Sequence, residues 1–317
     1  MNHQTPAKPC GRDDCNSTMK KKNKRWVTAC SHDPTVYFNT EDLLENLHLH
    51  TVCRSAQCPN QGTCFTEVTA TFLILGDTCT RNCTFCAVAH GIPQAVDREE
   101  PHRISQAVAA MKLNHVVITS VTRDDLPDGG AFHFAETIKT VRKKNPGVTI
   151  EVLIPDLMGS KGALSCILDE KPEVLNHNLE TVPRLYPKVR SQADYRRSLT
   201  LLQSVKALYK HSFTKSGIMV GLGEQPDEVR EVMEDLRSVA CDFLTIGQYL
   251  RPSFDHYPIR RHVDQEEFES YKELGAQMGF KAVFSGRLVR SSFMAGDFFK
   301  LALSPQKNTS SSMGTKP

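Results

Sequence analysis

The sequence has no apolar stretch long enough to cross a membrane as a helix, which takes roughly 18 to 20 apolar residues in a row. Its first residues, MNHQTPAKPCGRDD, lack both the apolar core of a secretory signal and the Arg-rich amphipathic pattern of a presequence. Hydrophobic residues make up 39% of the 317 residues, which is enough to bury a core. We therefore expect a cytoplasmic protein that does not associate with membranes.

A strong excess of charge of one sign is also missing, because the formal net charge is only +3. Residues 1–30 contribute +5, partly through the basic run from Lys20 to Arg25, so the rest of the chain carries −2. Such a run can touch nucleic acid. However, aromatic residues are only 7% of the chain, and the body lacks the basic, aromatic-interleaved pattern of RNA binding. We expect residues 1–35 to form a mobile basic tail, and no nucleic-acid partner.

Cysteine is uncommon overall, with eleven in 317 residues, too few for a disulfide scaffold. Three of them, Cys79, Cys83 and Cys86, form a C-x3-C-x2-C spacing in CTRNCTFC, directly after the apolar stretch 71–75. A closed electron-transfer cluster takes four cysteines, and a structural zinc site takes four ligands. Three thiolates can hold three corners of a [4Fe–4S] cluster and leave one iron open, so this spacing favours an open-iron cluster.

A second triplet lies just upstream, where Cys53, Cys58 and Cys64 form a C-x4-C-x5-C spacing in TVCRSAQCPNQGTCF. Buried free cysteines are common and inert, but two triplets within 34 residues are hard to assign to packing. Clustered cysteines in a reducing compartment indicate metal binding rather than disulfides. The alternative to an enzyme at this point is a simple iron–sulfur or zinc module.

The other five cysteines carry weaker signals. Cys166 and Cys241 lie in the apolar contexts ALSCIL and VACDFL, so we expect them in the core. Cys10, Cys15 and Cys30 fall in the tail, and we expect no metal ligand from Cys10 or Cys15.

From residue 67 onward, short β-branched runs alternate with helical periodicity, a pattern typical of βα units and a parallel sheet. The predicted strands are 69–75, 115–121, 148–154, 173–177, 217–221 and 243–247. The predicted helices lie near 103–112, 131–144, 195–210, 226–239 and 264–278, with a short amphipathic helix at 40–51. Six units are too few for a closed eight-stranded barrel. We therefore predict an α/β fold, a partial (βα)6 TIM-type barrel with an N-terminal cluster-binding extension and disordered tails.

Polar, non-helical segments follow every predicted strand. In a barrel the carboxyl ends of the strands form one rim, and active sites sit there. We therefore expect one pocket to be lined by the segments 77–86, 122–130, 155–156, 178–180, 221–224 and 248–252.

Taken together, several segments resemble the lipoyl synthases, a family of radical S-adenosylmethionine (SAM) enzymes. They run from about residue 48 to 296 and are LHTVCRSAQCPNQGTCF, TATFLILGDTCTRNCTFCAV, ITSVTRDDLPDGGA, EVLIPDLMG, VLNHNLETVPRLYPKVR, KSGIMVGLGE, LTIGQYLRPS and VRSSF. The C-x3-C-x2-C spacing alone is typical of all radical SAM enzymes. The double triplet with Arg290-Ser291-Ser292 near the end is specific to this family.

The resemblance implies the following chemistry. A [4Fe–4S] cluster on the downstream triplet would bind SAM at its open iron and split it into methionine and a 5′-deoxyadenosyl radical. That radical would abstract hydrogen from C6 and C8 of an octanoyl chain, carried on a lysine of a lipoyl carrier protein. A second [4Fe–4S] cluster, held by the upstream triplet and Ser292, would donate the sulfur atoms. The chain would then be a sulfurtransferase.

The same resemblance assigns residues to the SAM site. Phe85 would lie beside the adenine, although plain packing is the alternative for it. Asn178 and Glu180 would bind the ribose or the methionine end, and Gln248 and Tyr249 would line the adenine side.

Partners follow from the resemblance as well. Octanoylated lipoyl carrier domains would be the substrates, either E2 subunits of dehydrogenase complexes or the glycine cleavage H protein. A low-potential donor such as ferredoxin or flavodoxin would supply electrons, and an iron–sulfur carrier would rebuild the spent cluster. Arg251, Arg260 and Arg261 follow the last rim segment and could steer an acidic carrier, with solvated surface charge as the alternative.

We thus predict four parts: the tail 1–35, an N-terminal extension 36–66 with the upstream triplet, the partial barrel 67–290, and a C-terminal segment 291–317 that contains Ser292 and a disordered end. The alternative function is that of another two-cluster radical SAM sulfur-inserting enzyme, such as a biotin synthase-like or methylthio-transferring type.

Overall fold

The computed structural model describes residues 33–303. Its strands are β1 (His50–Thr51), β2 (Thr71–Ile74), β3 (Thr78–Cys79), β4 (Ala89–His90), β5 (His115–Ser120), β6 (Thr149–Leu153), β7 (Val174–Asn176), β8 (Phe213–Val220), β9 (Phe243–Gln248) and β10 (Ala282–Gly286). Eight of them form one sheet in the order β1-β2-β5-β6-β7-β8-β9-β10, and β3 pairs with β4 separately. All neighbours from β2 to β10 are parallel, and only β1 runs antiparallel to β2.

Helices occupy most of the connections between these strands. They are α1 (Pro34–Asn46), α2 (Val52–Ser55), α3 (Gln61–Thr66), α4 (Glu100–Ala110), α5 (Ala131–Lys144), α6 (Lys161–Asp169), α7 (Tyr186–Val189), α8 (Tyr195–Leu208), α9 (Pro226–Ser238), α10 (Gln265–Gln277) and α11 (Ala295–Leu303). Short 3-10 turns add Leu157–Gly159 and Pro183–Leu185. None of the helices within residues 33–303 is both long and apolar enough to span a membrane.

The strand prediction is confirmed at all six positions, and the sheet extends further at both edges. β10 adds a seventh parallel strand beyond the six predicted, and β1 adds a short antiparallel one. β10 escaped prediction because four of its five residues are only partly buried and it ends in Ser-Gly, which is a turn signal. β8 begins at Phe213, four residues before the predicted start.

The helix predicted at 40–51 is wrong in its bounds. It begins at Pro34, because the side chain of Asp33 accepts a hydrogen bond from the backbone N–H of Thr35 at 2.8 Å and proline suits the first helical turn. It ends at Asn46, and the pairing of His50–Thr51 with β2 takes up the rest of the predicted segment. The predicted boundary at residue 35 therefore falls inside α1. Residues 1–32 and 304–317, with the predicted tails, lie outside the described residues.

Apolar side chains form two large clusters and a small one. The first surrounds β2, β5 and β6, and the second surrounds β8 and β9. The small cluster contains Val174, Phe243, Ala282 and Phe298, and three of these are first residues of strands. It therefore marks the amino-terminal end of the barrel, opposite the rim, which we call the floor. Cys241 is fully buried, as predicted, and Cys166 packs at the edge of the first cluster.

Candidate functional site: two cysteine triplets joined by the C-terminal segment

The downstream triplet lies at the rim, after the end of β2. Cys79 ends β3, and its Sγ accepts backbone N–H groups of Arg81 at 3.4 Å and Thr122 at 3.3 Å. Cys83 and Cys86 follow in the loop. Burial is the main reason that the pKa of Cys83 is raised to about 11 and that of Cys86 to about 12, and neighbouring thiols contribute a smaller part. The three thiols are therefore near enough to influence one another, and all three residues are partly buried.

A buried guanidinium fixes this loop to the barrel. Arg81 Nε lies 2.6 Å from Asp124 Oδ2, and Arg81 Nη2 lies 2.7 Å from Asp156 Oδ1. Asp124 follows β5 and Asp156 follows β6. Burial alone would raise the pKa of Asp156, but the hydrogen bonds and charge of Arg81 lower it, so the carboxylate stays ionised. Sequence reasoning missed this ion pair, although it placed all three residues in rim segments.

The loop after β7 brings Asn178 and Glu180 to the same rim. Asn178 Nδ2 donates to Glu180 Oε1 at 3.1 Å, and Arg190 donates to the carbonyl oxygen of Asn178 at 2.8 Å. Burial raises the pKa of Glu180, and the charge of Arg190 opposes that rise. The charge of Glu180 in turn raises the pKa of Cys83 and Cys86, so this loop faces the downstream triplet. Arg190 is a second rim residue that sequence reasoning missed.

Gln248 and Tyr249 are buried at the rim and hydrogen-bonded to the backbone. Gln248 Nε2 donates to the carbonyl oxygens of Val220 at 3.2 Å and Tyr249 at 3.1 Å, and its Oε1 accepts the N–H of Val263 at 2.9 Å. The Tyr249 hydroxyl donates to the carbonyl oxygen of Tyr257 at 2.7 Å. These two side chains therefore shape the rim through their backbone contacts.

Phe85 is partly buried and packs against the second apolar cluster. This contact supports the packing alternative, and its placement beside adenine stays a prediction.

The upstream triplet is built on two short helices. Cys53 lies in α2, Cys64 lies in α3, and Cys58 lies between them. Burial is the main reason that the pKa of Cys53 is raised to about 11 and that of Cys64 to about 12, and the charges of Cys53 and Cys58 contribute part of the rise at Cys64. These three thiols are therefore also mutual neighbours. His48 and His50, just before them, are exposed.

The chain after β10 links the two triplets. Asn60, between Cys58 and Cys64, donates from Nδ2 to the carbonyl oxygen of Leu288 at 2.8 Å. Two residues on, burial lowers the pKa of Arg290, and the charges of Cys58 and Glu180 oppose that change. Arg290 thus lies between a residue of each site. Ser291 Oγ accepts a hydrogen bond from Asn178 Nδ2 at 3.2 Å, and Ser292 is the next residue.

The donor sets suit iron–sulfur clusters. Each triplet supplies three soft sulfur ligands, which favour iron–sulfur clusters, zinc or Cu(I). Within residues 33–303, no three Cys, His, Asp or Glu side chains converge closely enough to hold a single ion. Thiols that surround a cubane stand farther apart than thiols that bind one zinc at about 2.3 Å. Each triplet is also one ligand short of a structural zinc site, which takes four ligands, so the donor sets favour clusters over a mononuclear zinc site.

The three arginines proposed for steering differ in their surroundings. Arg261 lies 2.5 Å from Glu267 and 3.3 Å from Glu224, so its charge is offset. Arg251 donates to the carbonyl oxygen of His256 at 2.8 Å. Arg260 is exposed and lies 5.7 Å from the Tyr257 ring centroid, so it is the best placed of the three to meet a partner.

Residues 73–236 match the model of the radical SAM superfamily, so this fold and site define a radical SAM enzyme. The chain is 58% identical over 262 residues to a lipoyl synthase of Caldanaerobacter subterraneus subsp. tengcongensis, covering 83% of this chain and 92% of that protein. It is 52% identical to a lipoyl synthase of Aquifex aeolicus, covering 81% and 94%. The chain belongs to the lipoyl synthase family. It is a sulfurtransferase that uses SAM and [4Fe–4S] clusters.

Solved structures support the fold. Methylornithine synthase (PylB) superposes with a TM-score of 0.51 at 14% identity, covering 77% of this chain and 76% of that one. Streptococcus suis SuiB bound to S-adenosylmethionine gives 0.54 at 11% identity, covering 68% and 49%. The predicted radical SAM barrel is therefore confirmed. The identity to lipoyl synthases decides against other two-cluster radical SAM enzymes.

Proposed function

We propose that this chain inserts two sulfur atoms, at C6 and C8, into an octanoyl chain attached to a lysine of a lipoyl carrier protein. The proposal rests mainly on the two cysteine triplets, whose residues are buried or partly buried and which one C-terminal segment joins. A radical SAM site alone needs only one triplet. The second triplet, which Leu288 and Ser291 connect to the SAM-site loop, would hold a cluster that serves as the sulfur source.

In this proposal Cys79, Cys83 and Cys86 hold the cluster that binds SAM. When bound, the two clusters supply the electron that cleaves SAM and the sulfur that enters the product. The chain's own residues orient and shield the reactants. Arg81 fixes the loop, and the buried rim keeps water from a reactive carbon radical. Asn178 and Glu180 are polar groups at this rim that could bind SAM, and Phe85, Gln248 and Tyr249 shape its adenine side.

For the second site we propose Cys53, Cys58, Cys64 and Ser292 as ligands. Three cysteines leave one corner of a cubane without a protein ligand. Ser292 follows Ser291, which contacts the SAM-site loop, and lies two residues after Arg290, which faces Cys58. These contacts of its neighbours support Ser292 as the fourth ligand.

As a lipoyl synthase, the enzyme acts on lipoyl carrier proteins. We propose E2 subunits of dehydrogenase complexes and the glycine cleavage H protein as these carriers. We also propose ferredoxin or flavodoxin as the electron donor and an iron–sulfur carrier that rebuilds the sulfur-donating cluster. The eight free cysteines of the described residues, six of them in triplets, support a reducing compartment, and we propose the cytoplasm.

The test separates the two triplets by product. Cys83→Ala should abolish 5′-deoxyadenosine formation from SAM, because the downstream site loses a ligand. Ser292→Ala should retain 5′-deoxyadenosine formation and lose the lipoyl product. Cys166→Ala is the matched control, since Cys166 lies in α6 outside both triplets, and it should behave like the parent.

Mass spectrometry of the reaction mixture measures free 5′-deoxyadenosine and the lipoyl group on an octanoylated carrier. Iron and sulfide are counted in the same protein samples. SAM cleavage by Cys83→Ala with full iron content would refute the downstream assignment. A full lipoyl yield from Ser292→Ala would refute Ser292 as a ligand.

A further inference from the structure

The segment after β10 runs from the rim of the barrel to its floor. We call residues 287–299 the C-terminal strap. It leaves β10 in a turn in which the N–H of Val289 donates to the carbonyl oxygen of Gly286 at 3.1 Å. It ends in α11, where Phe298 joins the small apolar cluster at the amino-terminal ends of the strands. Ser292 lies between these two ends.

The upper end is held at the rim by a close backbone contact. A Cβ added to Gly247 would lie 2.2 Å from the carbonyl oxygen of Val289, a distance that no side chain could occupy without moving the strap. The strap therefore packs directly against the backbone of Gly247. The hydrogen bond from Asn60 to the carbonyl oxygen of Leu288, at 2.8 Å, holds the strap from its other side.

The lower end is held at the floor by aromatic packing. Phe298 is 2% exposed, and the Nζ of Lys215 lies 4.8 Å from its ring centroid. Phe299 packs against the rings of His115 and Phe213 at 5.9 and 5.8 Å between centroids. The ring of Phe298 therefore lies over a buried lysine, which itself pairs with Glu151 at 2.9 Å.

We propose that the strap positions Ser292 through these two anchors, and that Gly247 and Phe298 are positioning residues for the sulfur-donating half of the reaction. This rests on the proposed role of Ser292 as a ligand. A ligand on a short segment fixed at both ends keeps its position without help from its own side chain. A segment fixed at one end samples many positions, and a misplacement of about 1 Å can cost two orders of magnitude in rate.

The first experiment compares two glycines at paired positions. Gly247 and Gly286 are register partners on β9 and β10. Gly247→Ala must displace Val289, whereas a Cβ on Gly286 meets only a Val289 methyl group at 3.4 Å. We expect Gly247→Ala to lower lipoyl yield on the order of tenfold to a hundredfold, with 5′-deoxyadenosine formation within about twofold of the parent. Gly286→Ala should match the parent in both products.

The second experiment loosens the other anchor. Phe298→Ala should give the same split between the two products, although it lies at the opposite end of the barrel. Leu301→Ala, on the same helix and with a 57% exposed side chain, is its control. If Gly247→Ala does not fold, Asn60→Leu replaces it, because that change removes only one hydrogen bond to the strap.

Hydrogen–deuterium exchange, measured anaerobically on the cluster-containing proteins, tests the anchors directly. Amides of residues 288–293 should exchange faster in Gly247→Ala and Phe298→Ala and stay protected in Gly286→Ala and Leu301→Ala. Unchanged exchange, or equal loss of both products, would overturn the proposal. Ser292→Ala separates the ligand role of Ser292 from the anchoring of the strap. A full lipoyl yield from this variant would refute the ligand role, and the exchange results would still decide whether the strap is held at both ends.

Discussion

The two cysteine triplets are held by different kinds of contact. The downstream loop is tied to the barrel by buried Arg81, which pairs with buried Asp156 and with exposed Asp124. The upstream triplet sits on α2 and α3, which are held mainly by uncharged contacts, such as the hydrogen bond from the Thr40 hydroxyl to the carbonyl oxygen of Phe65 at 2.8 Å. An ion pair of Arg54 with α1 adds to these, but both of its side chains are partly exposed.

This difference assigns the sites to different parts of the molecule. The downstream site belongs to the barrel, because Arg81 binds the segments that follow two neighbouring parallel strands, β5 and β6. The upstream site belongs to the extensions, because α1 on one side and the strap on the other hold it. Partly exposed ion pairs stabilise by at most about 1 kcal/mol, so the pair of Arg54 with α1 adds little to the stability of the upstream site. We therefore expect SAM cleavage to withstand changes in the extensions that stop sulfur insertion.

The largest effect should follow from Arg81→Met, which keeps the length of the side chain and removes its charge. Buried Asp156 would lose its nearest charge partner and keep only the partly exposed Arg197, 3.5 Å away. Breaking a buried ion pair costs roughly 3–5 kcal/mol, and Arg197 places this variant at the low end of that range. We expect a matching drop in the free energy of unfolding by denaturant and loss of 5′-deoxyadenosine formation. Arg103→Met is the control, since its ion pair with Asp97 is partly exposed and worth about 1 kcal/mol or less. Equal losses of stability and of 5′-deoxyadenosine formation in the two variants would show that the ion pairs of Arg81 do not hold the downstream loop.

A smaller and more selective effect should follow from Thr40→Val. The change removes the hydroxyl that bonds to the carbonyl oxygen of Phe65, which still accepts the N–H of Val68 at 3.2 Å. The cost is therefore that of one hydrogen bond, about 0.5–1.5 kcal/mol. Lipoyl yield should fall while 5′-deoxyadenosine formation is kept. Thr200→Val is the control, because the Thr200 hydroxyl is exposed and bonds only within its own helix, to Arg196 at 2.9 Å. A loss of SAM cleavage in Thr40→Val would remove the distinction between the two regions.

The smallest effect concerns the rim and its partner. Arg260→Glu should leave stability unchanged, since Arg260 is exposed. It should slow turnover of a whole octanoylated carrier at low salt and flatten the salt dependence, because rim charges act mainly on association. Lys139→Glu makes the same charge change on the outer helix α5 and serves as the control. Identical salt dependence in the two variants would exclude Arg260 from the docking surface.

Local patterns in the sequence were enough to locate six of the seven parallel strands of the barrel. The segments around Val117, Val152 and Ile246 are β-branched and bounded by polar loops, so burial and propensity agree there. Local patterns did not predict β10, which is only partly buried, or the start of α1, which depends on the Asp33 cap. The ligand types and their spacing also follow from sequence, because the two triplets are short-range patterns.

What only the tertiary structure decided is which distant residues meet. Arg81 binds Asp156 across 75 positions of sequence, and Asn60 binds Leu288 across 228. Neither contact follows from local periodicity, because it exists only after parallel strands have aligned their carboxyl ends and both extensions have packed against them. The chain by itself determined the chemistry, through the number and spacing of its thiols. Closure of the fold decided how the two sites lie against each other, since that arrangement depends on long-range packing.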